Sequence, residues 1–372
     1  MANARDVAQL AGVSVSTVSR ALARAGNVSA ATQQRVAEAA ARLGYQPDPT
    51  ARGLRMGRTN AIGLVVPDLE NPYFASVTKG VQARARAAGY ALFVTDSEED
   101  PATEPTLVAE FARRVDGIIL ASPRTDDETL RGMVHGAPTV LVSRDADGVP
   151  SVAVDDADGM TQVLGHLHAL GHRRVGVAAG PGNSWSGLRR VAGLRRAAEQ
   201  LDGVTLVELG SFPPYFSGGF AAADHAVAAE VTAVVAFNDL MALGILDRLR
   251  GRGVRVPDDM SVVGFDDVAV ATLVSPALTT VHVPRAGLGR RAVDLLVAAI
   301  EARGSESPEL ASPEQSSPEP GGAGQAPSRA AAAARHRLGV EIVIRGSTGV
   351  PGEPFRRSPL PGTATSNASS TT

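Results

Sequence analysis

Several short apolar runs in this 372-residue chain end in side chains that can hold a small molecule by hydrogen bonds or cover it. Residues 62–66 lead to Asp68 and then to Asn71-Pro-Tyr73-Phe74; 117–120 lead to Ser122; 139–142 lead to Ser143-Arg144. Further on, 175–179 lead through a glycine-rich turn to Arg190, 233–237 end in Asn238-Asp239, and 261–265 end in Asp266-Asp267. In open α/β sheets ligands bind beyond the carboxyl ends of the strands, so these groups are expected to converge on one rim. Carboxylates accept from vicinal hydroxyls, amide and guanidinium groups fix orientation, and aromatic rings cover an apolar face. The mixture suits a small polyhydroxyl or heterocyclic ligand. Asp239 and Asp267 are expected to cap helices; Asn238 and Asp266, one step nearer the strand, are the better ligand candidates.

A second group of residues points to DNA. Residues 5–20 place two short apolar-periodic segments on either side of Gly12, with Val7, Ala8 and Leu10 before it and Val18, Ala21 and Leu22 after it. Ala8 is small enough to let two helices cross closely, and Gly12 sits where the tight turn needs positive φ. Val13 is expected to plug the junction and Ser14 to cap the second helix. That helix would present Val15, Ser16 and Arg20 outward, where a recognition helix meets base edges. An ordinary helical hairpin is the alternative for this segment taken alone. Charge favours DNA: residues 1–59 carry eight arginines against Asp6, Glu38 and Asp48, a net +5 in a chain of net −3, which leaves −8 for the remainder. A compact basic segment favours phosphate contacts.

Other chemistries find little support. Cysteine is absent, which excludes disulfides, thiolate catalysis and cysteine metal sites. The N-terminus has no apolar h-region and no run approaches a membrane span, so a cytoplasmic protein without membrane contact is expected. Gly180-Pro-Gly182 lacks the full GxGxxG spacing, and Lys79, the sole lysine, lies on a predicted helix rather than in a phosphate loop. His166, His168 and His172 are spaced by two and four, which does not place all three on one helix face, so no metal is expected. Ser184 and Ser186 lack a GxSxG context. No catalytic residues and no cofactor are expected. A sugar-acting α/β enzyme is the alternative, disfavoured by a headpiece that such an enzyme does not need.

The elements that must position these residues follow from periodicity. A third helix is predicted from a Ser29 cap through Thr32, Val36 and Ala40 to Leu43, ending at Gly44. It would complete a headpiece with a core of Val7, Leu10, Val18, Leu22, Val36 and Leu43. Pro47-Asp48-Pro49 then interrupts the chain, and 50–55 form a short basic segment too short to be a stable helix alone. From residue 61, apolar runs at 62–66, 91–94, 117–120, 139–142, 175–179, 204–209, 233–236 and 261–264 alternate with helical stretches such as 74–88, 161–170, 188–200 and 240–250. That alternation argues parallel sheets of βαβ units, and the number of units argues two lobes with a break near 155–159. Residues 304–335 repeat Ser-Pro-Glu three times and cannot bury a core; they read as a solvated spacer. A strand is predicted to resume at 338–344, followed by a flexible low-complexity tail.

With these residues in place, the chain resembles the lactose/galactose repressor (LacI/GalR) family of bacterial transcription regulators over about 3–303 and 338–348. The motifs that carry the resemblance are DVAQLAGVSVSTVSRAL, GYQPDPTARGLR, IGLVVPDLENPYF, VDGIILASP, ALGHRRVG, FNDLMALG, VPDDMSVVGFDD and VIRGST. It implies an α/β fold: an all-α helix-turn-helix headpiece (1–46), a hinge (47–60), and a two-lobed, periplasmic-binding-protein-like core of parallel sheets flanked by helices (61–346). The N-lobe is expected at about 61–158 and 283–303, the C-lobe at 159–282 and 336–346, with the insert at 304–335 and the tail at 347–372. The family's body also suggests a solute receptor of the periplasmic type, which the headpiece and the absent signal peptide disfavour.

Carried over by position, the resemblance puts base readers at Val15, Ser16 and Arg20. Arg20 would bond guanine O6 and N7, and Val15 would pack on a thymine methyl. It makes Leu54 a minor-groove wedge in a hinge helix supported by Ala51. It puts effector contacts at Tyr73, Phe74, Arg144, Arg190, Asn238 and Asp266, with an aromatic from 212–216 as a cover. The expected partners are double-stranded operator DNA, a small-molecule effector, most simply a sugar, and a second copy of the chain in a homodimer. Two departures bear on the hinge: Asp48 places a carboxylate near phosphates, and Gly53 lowers helix propensity by ~1 kcal/mol relative to alanine.

Overall fold

The computed structural model describes residues 2–22, 28–45, 58–305 and 334–352. The chain divides into an N-terminal unit and a much larger one.

In the first unit Asn3 opens helix α1 (Ala4–Ala11) through a reciprocal capping box: its Oδ1 accepts from the backbone of Arg5 and Asp6, while Asp6 Oδ2 accepts from Asn3 N at 2.8 Å. Gly12 ends α1 at φ 63°, the left-handed conformation that glycine adopts at little cost. Ser14 Oγ accepts from Thr17 N at 3.1 Å and so caps α2 (Val15–Leu22). Ser29 caps α3 (Ala30–Leu43), and Gly44 closes it at φ 62°. The three helices enclose Val7, Ala8, Ala11, Val18, Ala21, Val36, Ala39 and Ala40, with Val13, Leu22 and Leu43 packed around them. Burying each valine stabilises by about 1.5–3 kcal/mol, enough to hold helices that are individually too short to persist. Leu10 departs from expectation: it is 44% exposed, because three helices this short close their core with alanines and leave that face open.

The larger unit starts with β1 (Ala61–Val66), α4 (Pro72–Ala87), β2 (Ala91–Asp96), α5 (Glu104–Phe111), β3 (Gly117–Ala121), α6 (Asp127–Met133), β4 (Thr139–Val142) and β5 (Ser151–Val154). It continues with α7 (Asp156–Ala169), β6 (Arg174–Ala179), α8 (Trp185–Ala198), β7 (Thr205–Ser211), α9 (Gly218–Ala228), β8 (Ala233–Ala236), α10 (Asp239–Gly251) and β9 (Ser261–Val263). Then come β10 (Thr280–His282), α11 (Arg285–Ser305), β11 (Arg335–Leu338) and β12 (Glu341–Val343). One six-stranded sheet runs β11-β5-β4-β3-β1-β2, a four-stranded sheet runs β7-β6-β8-β9, and β10 pairs antiparallel with β12. The registers given for the two large sheets are parallel, with Leu64 beside Ile119 and Val177 beside Val235. Strands buried on both faces read as continuous apolar runs, and that is how β1, β3 and β8 look in the sequence.

Several expectations change. The single strand predicted at 338–344 is two strands divided at Gly339-Val340, and β11 hydrogen-bonds in parallel to β5, with Arg335 beside Ser151 and Leu338 beside Val154. Residues 335–338 therefore extend the six-stranded sheet instead of joining the second lobe. The tail is not free from 347: Ser347 is buried, with Oγ donating to Val262 O at 2.6 Å and accepting from Thr279 N at 2.8 Å, and Gly349 O meets His172 Nε2 at 2.9 Å. Strands β5 and β10 were not anticipated, since four and three residues are too few for a pattern. Most of the hinge (46–57), most of the insert (306–333) and the tail from 353 lie outside the described residues.

Candidate functional site

The carboxyl ends of β1, β3, β6, β8 and β9 bring one constellation together. Asn71 Oδ1 accepts from Tyr73 N at 2.9 Å and starts α4, with Pro72 in the first turn. This sets Tyr73 and Phe74 edge to face, ring centroids 5.0 Å apart, both buried. The Tyr73 hydroxyl lies 2.8 Å from Ser143 Oγ, and its pKa is raised, first by burial and then by the nearby Asp266 carboxylate. Ser122 and Ser143 both sit at positive φ (47° and 57°), a backbone state that costs a non-glycine residue energy and tends to gather at ligand sites.

From α8, Arg190 reaches the centre. Its Nε donates to Asp156 Oδ1 at 2.9 Å, Nη1 donates to Phe237 O at 2.7 Å, and Nη2 stands 3.7 Å from Asp266 Oδ1. The guanidinium lies over the Phe265 ring, 3.6 Å from its centroid. Burial pushes the Asp266 carboxyl up to about 7 despite Arg190 and Arg285 beside it. Asp156 is raised for the same reason and keeps Oδ2 buried without a hydrogen-bond partner. Arg285 at the start of α11 donates to the backbone oxygen of Asp266.

Tyr73, Phe74, Arg190, Asn238 and Asp266 line one cavity of about 30 Å³ together with Asn71, Glu99, Ser122, Arg124, Ser186, Pro214 and Phe237. Arg144 is not among them. Its Nη1 donates to Pro123 O at 2.9 Å and to Thr125 O at 2.5 Å, and Nη2 pairs with Asp127 at 2.6 Å. It braces the loop after β3 and lines a separate groove.

The capping roles also differ from expectation. Asn238, not Asp239, caps α10: its Oδ1 accepts from Met241 N at 2.8 Å while Nδ2 donates to Pro214 O at 2.9 Å. Asp239 is fully buried, accepting from Val268 N at 2.8 Å and from Thr280 Oγ1 at 2.5 Å, with its pKa pushed up to about 8 mainly by burial. Asp267 caps no helix. It pairs with Arg345 at 2.5 Å and His282 at 2.9 Å. Of the aromatics at 212–216, Phe212 is buried against His225, and the half-exposed Tyr215 lies near Asp68, Glu99 and Arg124.

Arg124, Glu99 and Asp156 were missed. Arg124 stands two residues past Ser122 and forms a two-pronged pair with Glu99 (2.5 and 2.9 Å) and a 3.2 Å bond to Ser184 Oγ at the start of α8. Reading two residues further beyond 117–120, and past the end of 91–94, would have found the first two. Asp156 follows β5, the strand whose brevity hid it.

The clustered histidines serve separate tasks. His166 contacts Thr348, His168 contacts Asp202 O, and His172 ties Thr232, Ser261 and Gly349 together. Among the described residues no metal-holding cluster and no helix long and apolar enough to cross a membrane is present.

In the headpiece, Ser16 and Arg20 are exposed on α2, with Arg20 Nε 3.3 Å from Ser16 O. Val15 is half-buried and packs against the three-helix core, so less of it is free to meet a base. Ala51 and Leu54 lie outside the described residues.

Comparison with known proteins covers both the headpiece and the larger unit. Residues 3–48 match the family described as bacterial regulatory proteins, lacI family, and 59–317 match periplasmic binding proteins and sugar binding domain of LacI family. The HTH-type transcriptional repressor PurR of Haemophilus influenzae (strain PittEE) is 33% identical over 306 residues, 80% of this chain and 90% of that protein. A Lac repressor dimer bound to operator and the anti-inducer ONPF superimposes with a TM-score of 0.76 at 27% identity, covering 94% of this chain and 99% of that one. A complex of the transcriptional regulator CelR with cellobiose gives 0.65 at 29% identity, covering 93% and 100%. With a family match over more than half its length and a relative above 30% identity along most of both chains, the chain belongs to the LacI family of bacterial regulatory proteins.

Proposed function

We propose that the chain is a homodimeric transcription repressor that binds a roughly palindromic operator and is controlled by a neutral sugar or small glycoside held at the Arg190 constellation. The observation that carries the effector reading is Arg190 fixed between Asp156 and Asp266 over an aromatic ring. Asp266, which lines the cavity, offers acceptor oxygens to ligand hydroxyls, Arg190, held from behind by the buried Asp156, orients them, and Tyr73 and Phe74 supply an apolar wall. Among the described residues the cations lining the cavity, Arg124 and Arg190, are both paired with carboxylates, which disfavours a phosphate. At about 30 Å³ the cavity holds roughly one water, so a sugar ring must part the two sheets' rims to enter. A ligand touching both rims favours one separation of the lobes, and only such differential affinity can shift the conformational equilibrium.

One headpiece makes few base contacts, so two are needed for useful affinity and specificity. Exposed apolar groups support self-association: Leu273 is 82% exposed beside Phe216 and Val274 in one apolar groove, and Phe93 stands out from edge strand β2. The test is a thermal-shift screen of neutral sugars, sugar acids and nucleobases against the full chain. A ligand at 100 times its Kd adds about 2.7 kcal/mol, readily seen as a rise in Tm. Stabilisation by a neutral sugar is expected; stabilisation by nucleobases and by no sugar would overturn the assignment.

A further inference from the structure

Beside the inner cavity lies a second, far larger space of about 740 Å³, bounded by Pro101, Pro105, Arg124 and Arg144 on one side and by Trp185 and Leu188 of α8 on the other. Arg124 lines both spaces. Its bond to Ser184 Oγ, with its other nitrogens on Glu99, forms the partition between them.

We propose that this outer groove is a distal subsite and that the effector is a two-ring glycoside, one ring at Arg190 and the second in the groove; this rests on the reading of the inner cavity as the effector site. The inner cavity admits no ring until the rims part, and parting them separates Arg124 from Ser184. That separation joins the two spaces. The combined volume then falls in the range of sites that enclose drug-sized ligands, well beyond what a single small ring needs.

The groove's chemistry matches a sugar ring, which has apolar faces and a hydroxyl rim. Prolines stand on one side, and Trp185 with the 58%-exposed Leu188 on the other. Trp185 is held as a fixed wall by Arg189 and Arg337, whose guanidinium carbons lie 4.8 and 5.4 Å from its ring centroid. Arg144 also lines the groove, with Nη1 on Pro123 O and Nη2 on Asp127, and its buried Nε has no hydrogen-bond partner. Phosphate is a poor fit because Asp126 and Asp127 share the wall.

Trp185 is the only tryptophan in the chain, so its emission reports on this groove directly. The experiment compares glucose, galactose and xylose with cellobiose, lactose, maltose and xylobiose by calorimetry and Trp185 fluorescence, on the wild type and on Leu188→Arg. At least one disaccharide should bind tenfold or more tighter than either of its constituent monosaccharides and shift the emission. Leu188→Arg should remove that advantage while leaving monosaccharide affinity within twofold. A monosaccharide binding as tightly as every disaccharide that contains it, or an advantage that survives Leu188→Arg, overturns the distal subsite and leaves the inner site standing. Absence of binding by any saccharide brings down the sugar reading and this inference together.

Discussion

Arg190 faces two carboxyl groups with a single charge: Asp156 at 2.9 Å and Asp266 at 3.7 Å. A pH dependence follows. With Asp266 pushed up to about 7, a good part of the folded protein carries it protonated at pH 6, and a protonated carboxyl is a poorer acceptor for ligand hydroxyls. Since ligand hydroxyls favour the ionised form, affinity should rise about tenfold between pH 6 and pH 8 by linkage, and Asp266→Asn should flatten the profile. A wild-type profile that is already flat would mean that Asp266 does not receive the ligand's protons. At the other end of the chain, Arg20 is exposed on α2, with Nε bonded to the backbone oxygen of Ser16 in its own helix. A two-pronged arginine–guanine contact is worth ~1–3 kcal/mol of discrimination, so Arg20→Ala should relax base preference at one position of each half-site in a binding array. An unchanged preference would place the recognition surface elsewhere.

Elements hold these residues at fixed positions through close helix packing. Helix α4, which carries Tyr73 and Phe74 in its first turn, lies against α11, which begins at the Arg285 that grips Asp266. The seam is made of glycines: a Cβ on Gly80 would run into the carbonyl of Ala286, and one on Gly289 would meet Val77 O and stand 2.7 Å from Val81 N. Gly289→Leu should therefore cost about 1–3 kcal/mol by forcing the helices apart, seen as a lower Tm, and should weaken effector binding as Arg285 shifts. An unaltered Tm would show that the seam yields. This packing could not be read from the sequence, because glycine inside a helical pattern looks the same whether it serves a contact or merely weakens the helix. By contrast the headpiece was legible almost residue by residue, since Gly12, Ser14, Ser29 and Gly44 act through local backbone geometry. Strand ends were legible as a rule but not as a complete inventory. Asp266, Tyr73 and Arg190 follow long apolar runs, whereas Asp156 follows a four-residue strand and Arg144 was drawn away by carbonyls of the loop after β3. The 335–338 strand was misplaced because its pairing with 151–154 spans a distance along the chain that no local pattern records.

For the whole molecule, a basic headpiece precedes an effector-binding core, and the proposed function needs two copies for both DNA affinity and control. Leu273, almost wholly exposed in an apolar groove, is the residue whose replacement most directly tests the second copy. Leu273→Arg should leave the core folded, reduce the mass by light scattering to that of one chain, and lower operator affinity; a stable dimer would place the interface on another face. The central claim is that a ligand at Asp266 governs DNA binding without Asp266 itself being needed for it. The most direct measurement is a fluorescence-anisotropy titration against a palindrome selected from random DNA, with and without a stabilising sugar, for the wild type and Asp266→Ala. The sugar should change wild-type operator affinity at least tenfold, and the variant should bind the operator like ligand-free wild type with no response to sugar. Loss of basal operator binding by a variant that remains folded and dimeric, or a sugar response equal to that of the wild type, would contradict it.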